Sequence, residues 1–89
     1  MTASSGWTTR VRLATETADA VLDEAEGNDM PAAAAYEAVA EGWSAYGMVL
    51  EHVLALRGAA RCLERLGRPD EAQSPRAAAD TAAAHLRLA

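Results

Sequence analysis

This chain of 89 residues contains no Phe, no Ile and no Lys, and it has a single Cys. One cysteine excludes an internal disulfide, and a reducing cytosol is the simpler setting for it. In the absence of Lys every permanently basic side chain is an Arg, and eight of these face 13 acids for a formal charge of −5. That balance argues against non-specific attraction to nucleic acid or to an anionic membrane surface. No apolar run reaches the length of a membrane span, and Met1 to Thr9 lacks the basic-then-apolar order of a signal peptide. A soluble, cytoplasmic protein is expected, and abundant Ala with Arg as the only strong base fits a GC-rich bacterial genome.

What the chain has in excess is Ala, roughly a quarter of its residues. Ala is the best helix former and loses no side-chain entropy, so helix is favoured almost everywhere. Ala also buries little area, at roughly 25 cal/mol per Å², and the core must rest on close backbone approach and a few large anchors. Trp43, Tyr36, Tyr46, Met48 and the leucines between Leu50 and Leu66 are the candidates. Modest stability follows, and a homodimer would bury more.

Apolar periodicity predicts four helices, at about 8–26, 30–46, 48–66 and 70–88, with residues 1–7 frayed. In helix one, Val11, Ala14, Ala18, Val21, Leu22 and Ala25 form one stripe that is expected to be buried. Glu16, Asp19, Asp23 and Glu26 lie opposite it. Gly27-Asn28 stops that helix. Asp29 is the expected cap of helix two, with Pro31 in its first turn, and Ala32, Ala35, Tyr36, Val39, Trp43 and Tyr46 share its inner side. Gly42 inside this helix marks a close crossing.

Helix three carries two adjoining stripes. One is Val49, Val53, Leu56, Ala60 and Leu63; the other is Met48, His52, Ala55, Ala59, Cys62 and Leu66. So wide an apolar arc needs neighbours on two sides, which makes helix three the central element. Helix four begins near Asp70 or is delayed to Ser74, because Pro75 would otherwise kink it. Ala72, Ala79, Ala82, Ala83 and Leu86 give it a one-sided stripe. The short loops make the fold all-α, four antiparallel helices as two αα-hairpins, either a repeat-like mini-array or a compact bundle.

The stretch LALRGAARCLERLGRPDEA, Leu54 to Ala72, resembles one unit of a tetratricopeptide repeat. Ala60 stands at the family's small packing position, Leu63 at an apolar one, Gly67 in the turn, and Ala72 and Ala79 on the second helix. The first hairpin supports a repeat through Pro31 and Pro69, each near the start of the second helix of a pair. Leu56 replaces the family's frequent Trp, Arg76 replaces an aromatic, and Pro75 is foreign to the pattern. The resemblance implies a non-catalytic adaptor that binds a peptide or helix of a protein partner in a groove lined by the first helix of each pair.

Arg57, Arg61 and Arg65 recur every four residues along helix three, and Arg68 completes the line. These guanidinium forks suit carboxylates or phosphates of a partner. The competing reading is that Glu51, Glu64 and carboxylates of helices one or two pair with them. Leu50 and Leu54 continue the same face, so the strip from Leu50 to Arg68 is the candidate contact site. The alternative function is a self-associating bundle, a homodimer that buries Leu50 to Arg61. A regulator of nucleic-acid-binding proteins ranks third. Trp43 and Tyr46 read as core rather than as a ligand cage, and Trp7 as folding back over helix one. His52, His85 and Cys62 lack metal-ligand spacing, Cys62 reads as a buried inert thiol, and neither a catalytic constellation nor a cofactor motif appears.

Overall fold

Three glycines set the rhythm of the chain. Gly27, Gly47 and Gly67 follow one another at intervals of 20 residues, and each adopts a positive φ of 82°, 85° and 77°. Only glycine takes that conformation without strain. Each ends a helix in the same way. The N–H of Gly27 donates to Glu24 O and that of Asn28 to Asp23 O, at 3.1 and 2.8 Å. Gly47 and Met48 repeat this on Ser44 and Trp43, and Gly67 and Arg68 on Glu64 and Leu63. This paired closure satisfies carbonyls that a helix end leaves open.

The computed structural model describes residues 5–87. It contains α1 (Ser5–Ala25), α2 (Asp29–Tyr46), α3 (Val49–Arg65) and α4 (Pro69–Arg87). The fold is all-α, as the periodicity requires. Helix one begins three residues earlier than expected, residues 1–4 and 88–89 lie outside the described set, and so does the side chain of Trp7. Extensive contacts run between sequence neighbours, α1 with α2, α2 with α3, and α3 with α4. The Cα trace measures 45 × 33 × 16 Å, two helix layers thick. The helices stagger. Side chains of α1 and α3 meet across a groove floored by Tyr36 of α2, and α2 and α4 line a second groove against His52 and Leu56 of α3.

The same 20-residue step places small residues at the crossings. Ala20, Ala40 and Ala60 are all buried, one in each of α1, α2 and α3. At the α1–α2 crossing a Cβ on Gly42 would collide with the tip of Leu13. At the α2–α3 crossing a Cβ on Gly58 would lie 2.7 Å from two ring atoms of Tyr36. Since Ala offers so little area, these close approaches let the few large side chains reach across. The two glycines differ in what stands over them. Leu13 is a flexible side chain, so Gly42→Ala should change stability by less than about 1 kcal/mol, the helix-propensity gain offsetting the shift of Leu13. A urea titration measures it.

α3 is packed on two sides, by α2 and α4, as expected from its wide apolar arc. Val53, Ala55, Leu56, Ala59, Ala60, Cys62 and Leu63 are buried, while Val49, Leu50 and Leu54 are exposed, so of the leucines expected as anchors Leu50 and Leu54 are not core. α2 is also two-sided. Ala33 and Ala40 join Ala32, Tyr36, Val39 and Trp43 in the core, whereas Tyr46 sits at the edge with its ring against Trp43.

Helix one corrects the sequence reading. Its buried face is Leu13 and Ala20, with Thr17 and Glu24 partly buried beside them. Val11, Ala14, Ala18, Val21, Leu22 and Ala25 are exposed. The reason lies in α2. Trp43 Nε1–H donates to Thr17 Oγ1 at 3.0 Å, and Thr17 in turn donates to Leu13 O at 2.7 Å. Polar side chains with partners inside the crossing outcompete the more apolar stripe.

Two end effects also depart from expectation. Asn28, not Asp29, precedes α2 and makes no side-chain cap; the Asp29 carboxylate goes to Arg65 instead. α4 runs continuously through Pro75, so the delayed start at Ser74 does not occur. Pro75 is buried and lines the cleft with His52 and Leu56.

Candidate functional site

Side chains of α1 and α3 face each other across a groove. Thr17 and Val21 form one wall, Glu51, Leu54, Ala55 and Arg61 the other, and Tyr36 the floor, around about 220 Å³. Leu54 and Leu50, four residues apart on α3, are 55% and 54% exposed. Val21 opposite them is half-exposed. Large apolar side chains clustered at a concave surface are what distinguish a binding surface from scattered exposed leucines.

One end of this groove is held by charge. Glu24 of α1 is 15% exposed and accepts from three side chains. Tyr36 Oη–H donates to its Oε1 at 2.7 Å, Arg61 Nε–H to Oε2 at 2.9 Å, and Arg65 Nη2–H to Oε2 at 2.6 Å. Arg65 also grips Asp29 Oδ1 at 3.0 Å. The network ties the end of α1 and the start of α2 to α3. The bond from Arg61 holds the Glu24 carboxyl down at about 2 against the opposing effect of burial, with Arg65 and Tyr36 adding to it. Burial, then the bond to Glu24, pushes the Tyr36 phenol up to about 12. The bond to Glu24 raises Arg61, and those to Asp29 and then Glu24 raise Arg65.

The expected strip from Leu50 to Arg68 is divided by the structure. Leu54 and Arg61 come together at the α1–α3 groove, and Leu50 is exposed one turn before Leu54 outside its lining. Arg65 is engaged by Glu24 and Asp29 at its end. Arg57 turns toward α4, 3.9 Å from Asp80. It lines a separate cleft with Arg61, Glu64 and Arg76, where Arg76 pairs with Glu64. Arg68 lies exposed in the turn before α4. Of the two readings of the arginine line, pairing with carboxylates from helices one and two describes Arg61 and Arg65. The partners are Glu24 and Asp29, not Glu51.

Thr17, Val21, Glu24 and Tyr36 are the groove residues that sequence reasoning passed over. Gly58 in mid-helix signals a close approach to α3, which the ring of Tyr36 makes, but no spacing in the sequence points to Thr17, Val21 or Glu24. His52 Nδ1–H donates to Ala40 O at 2.8 Å, the carbonyl fixing which nitrogen carries the proton. Cys62 is fully buried, and desolvation pushes its thiol up to about 11, far from a reactive thiolate. Among the described residues no three His, Cys, Asp or Glu side chains converge as metal ligands. None of their helices is long and apolar enough to cross a membrane. Comparison with protein-family models, with curated proteins and with solved structures finds no match to this chain.

Proposed function

We propose that this chain is a non-catalytic interaction module, similar in plan to tetratricopeptide hairpins, whose α1–α3 groove receives an apolar helix or peptide of a partner protein. The observation that carries the reading is the exposure of Leu54 and Val21 on facing walls of a groove with a rigid floor, with exposed Leu50 one turn from Leu54. Tyr36 is pinned by Glu24 through its hydroxyl and by Gly58 against its ring, so the floor is organised before a ligand arrives. Preorganisation of this kind lowers the cost of binding. Arg61 and Glu51 on the same wall supply a charge of each sign for the polar edge of the ligand. The staggered layering, with the first helix of each pair lining the groove, supports the resemblance of the second hairpin. The net acidic charge favours a protein partner over nucleic acid, and a bacterial cytoplasm is the proposed setting.

The test uses synthetic amphipathic peptides with leucines four residues apart, titrated into the labelled full chain. Amide shifts should concentrate at Val21, Tyr36, Leu54 and Ala55. Leu54→Glu should weaken binding by about tenfold or more, a loss of about 1.4 kcal/mol or greater, while leaving helicity unchanged. Shifts confined to the groove lined by Ser44, Val49, His52 and Ala78, or equal binding by Leu54→Glu, would refute it.

A further inference from the structure

The exposed apolar stripe of α1 lies beyond the groove. Val11 is 44% and Leu22 58% exposed, and Ala14, Ala18 and Ala25 are exposed between and beside them. Two steps of the 20-residue rhythm separate Ala18 from Gly58. On α3 the face around Gly58 receives a preceding helix, through the ring of Tyr36. On α1 the corresponding face receives nothing among the described residues, although it has the same small-residue centre.

We infer that this outer face of α1 seats a second copy of the chain, the two α1 helices packing antiparallel about a two-fold axis near Ala18. The register follows from symmetry. With Ala18 opposite its own copy, Ala14 meets the second copy's Leu22 and Val11 meets its Ala25, so small faces large. Charge selects the same direction. Between residues 8 and 15 the charged side chains of α1 are Arg10 and Arg12, whereas Asp19, Asp23 and Glu26 follow toward and just past its end. Arg12 shares one flank of the stripe with Asp23 and Glu26. An antiparallel pair brings this Arg12 beside the second copy's Asp23 and Glu26; a parallel pair sets like against like. The present partner of Arg12, Glu16, is a solvent-exposed neighbour 3.6 Å away and is easily exchanged.

The other end of the array offers a poorer seat for stacking head to tail. α4 exposes Asp70 and Gln73 beside Ala77 and Ala84, while Arg76 and Asp80 lie on its flank toward α3, paired to Glu64 and Arg57. Covering Asp70 with the alanines of α1 would take a charge out of water with no opposite charge on the α1 stripe to meet it. Pairing α1 with α1 buries the apolar end alone and closes after two copies.

Sedimentation equilibrium of the full chain over a wide concentration range tests this independently of the groove. The apparent mass should rise from about 9.3 kDa to twice that value. Ala18→Glu, which sets two carboxylates face to face on the axis, should weaken the dimer by at least about tenfold with helicity retained by circular dichroism. Arg12→Glu should weaken it as well, and the double variant Arg12→Glu/Asp23→Arg should restore it. The restored pair is the readout that a misfolded variant would not mimic. A chain that stays monomeric throughout, one that forms larger open assemblies, or a dimer that survives Ala18→Glu and is lost in Leu54→Glu would overturn the assignment.

Discussion

Gly58→Ala lowers the unfolding free energy by about 2 kcal/mol, although helix propensity alone predicts a gain of about 1 kcal/mol. The sign is decided by Tyr36. Three of its ring atoms lie within 2.8 Å of where the new methyl would sit. The ring cannot swing aside without exposing itself and releasing its hydroxyl from Glu24, because it is buried and hydrogen-bonded at 2.7 Å. The remaining way out is separation of α2 from α3, the most extensive contact in the fold. For a domain of this size, whose total stability is of order 5–10 kcal/mol, that is a large fraction. Chemical denaturation followed by circular dichroism measures it, and the contrast with Gly42→Ala is the control. A stabilised Gly58→Ala would mean that the α2–α3 crossing is looser than described.

Glu24→Ala should cost about 2–3 kcal/mol at neutral pH. It leaves the buried Tyr36 hydroxyl without its acceptor and frees Arg61 and one arm of Arg65, while Asp29 retains Arg65. The half-exposed guanidinium groups regain water, so their share of the cost is small. Glu24→Gln keeps an acceptor for Tyr36 and removes the charge, and should lose less. The pH dependence follows in sign. The carboxyl sits at about 2 in the folded chain against 4.5 as the ordinary value. Its contribution is therefore complete above pH 4.5 and disappears as pH falls through about 2. Acid titration of stability should show a flatter slope across that interval in Glu24→Gln. At the alkaline end, the Tyr36 phenol is raised from 10.0 to about 12. Its contribution is intact below pH 10.0 and fades as pH climbs toward 12.

Both predictions concern contacts between residues far apart in the chain, and that is where sequence reading stopped. The four helices and the glycine that ends the first were legible because they depend on local chemistry, alanine-rich runs and an αL residue, whereas the start of α1 and the cap of α2 were not. The central position of α3 was legible from the breadth of its apolar arc. The pairing of Arg61 and Arg65 was legible as an alternative, but the identity of their partners was not. Glu24 is 37 residues from Arg61, and no spacing rule connects them.

The face of α1 shows the difference most clearly. Hydrophobicity ranks Val11, Val21 and Leu22 above Thr17 and Glu24, so a periodicity argument buries the former. The fold buries the side holding Thr17 and Glu24, because Trp43, Tyr36 and the two arginines provide partners for them there.

From residue order alone come the helical class, the number of helices, the acidic charge and the two-sided packing of α3. These depend on interactions within a few residues, which the order of side chains specifies directly. The third dimension decided which side of α1 turns inward, which arginines are already taken, and that Leu54 faces Val21 across a floor of Tyr36. Those outcomes turn on whether a polar group finds its partner inside a crossing, a comparison that exists only once the helices have met.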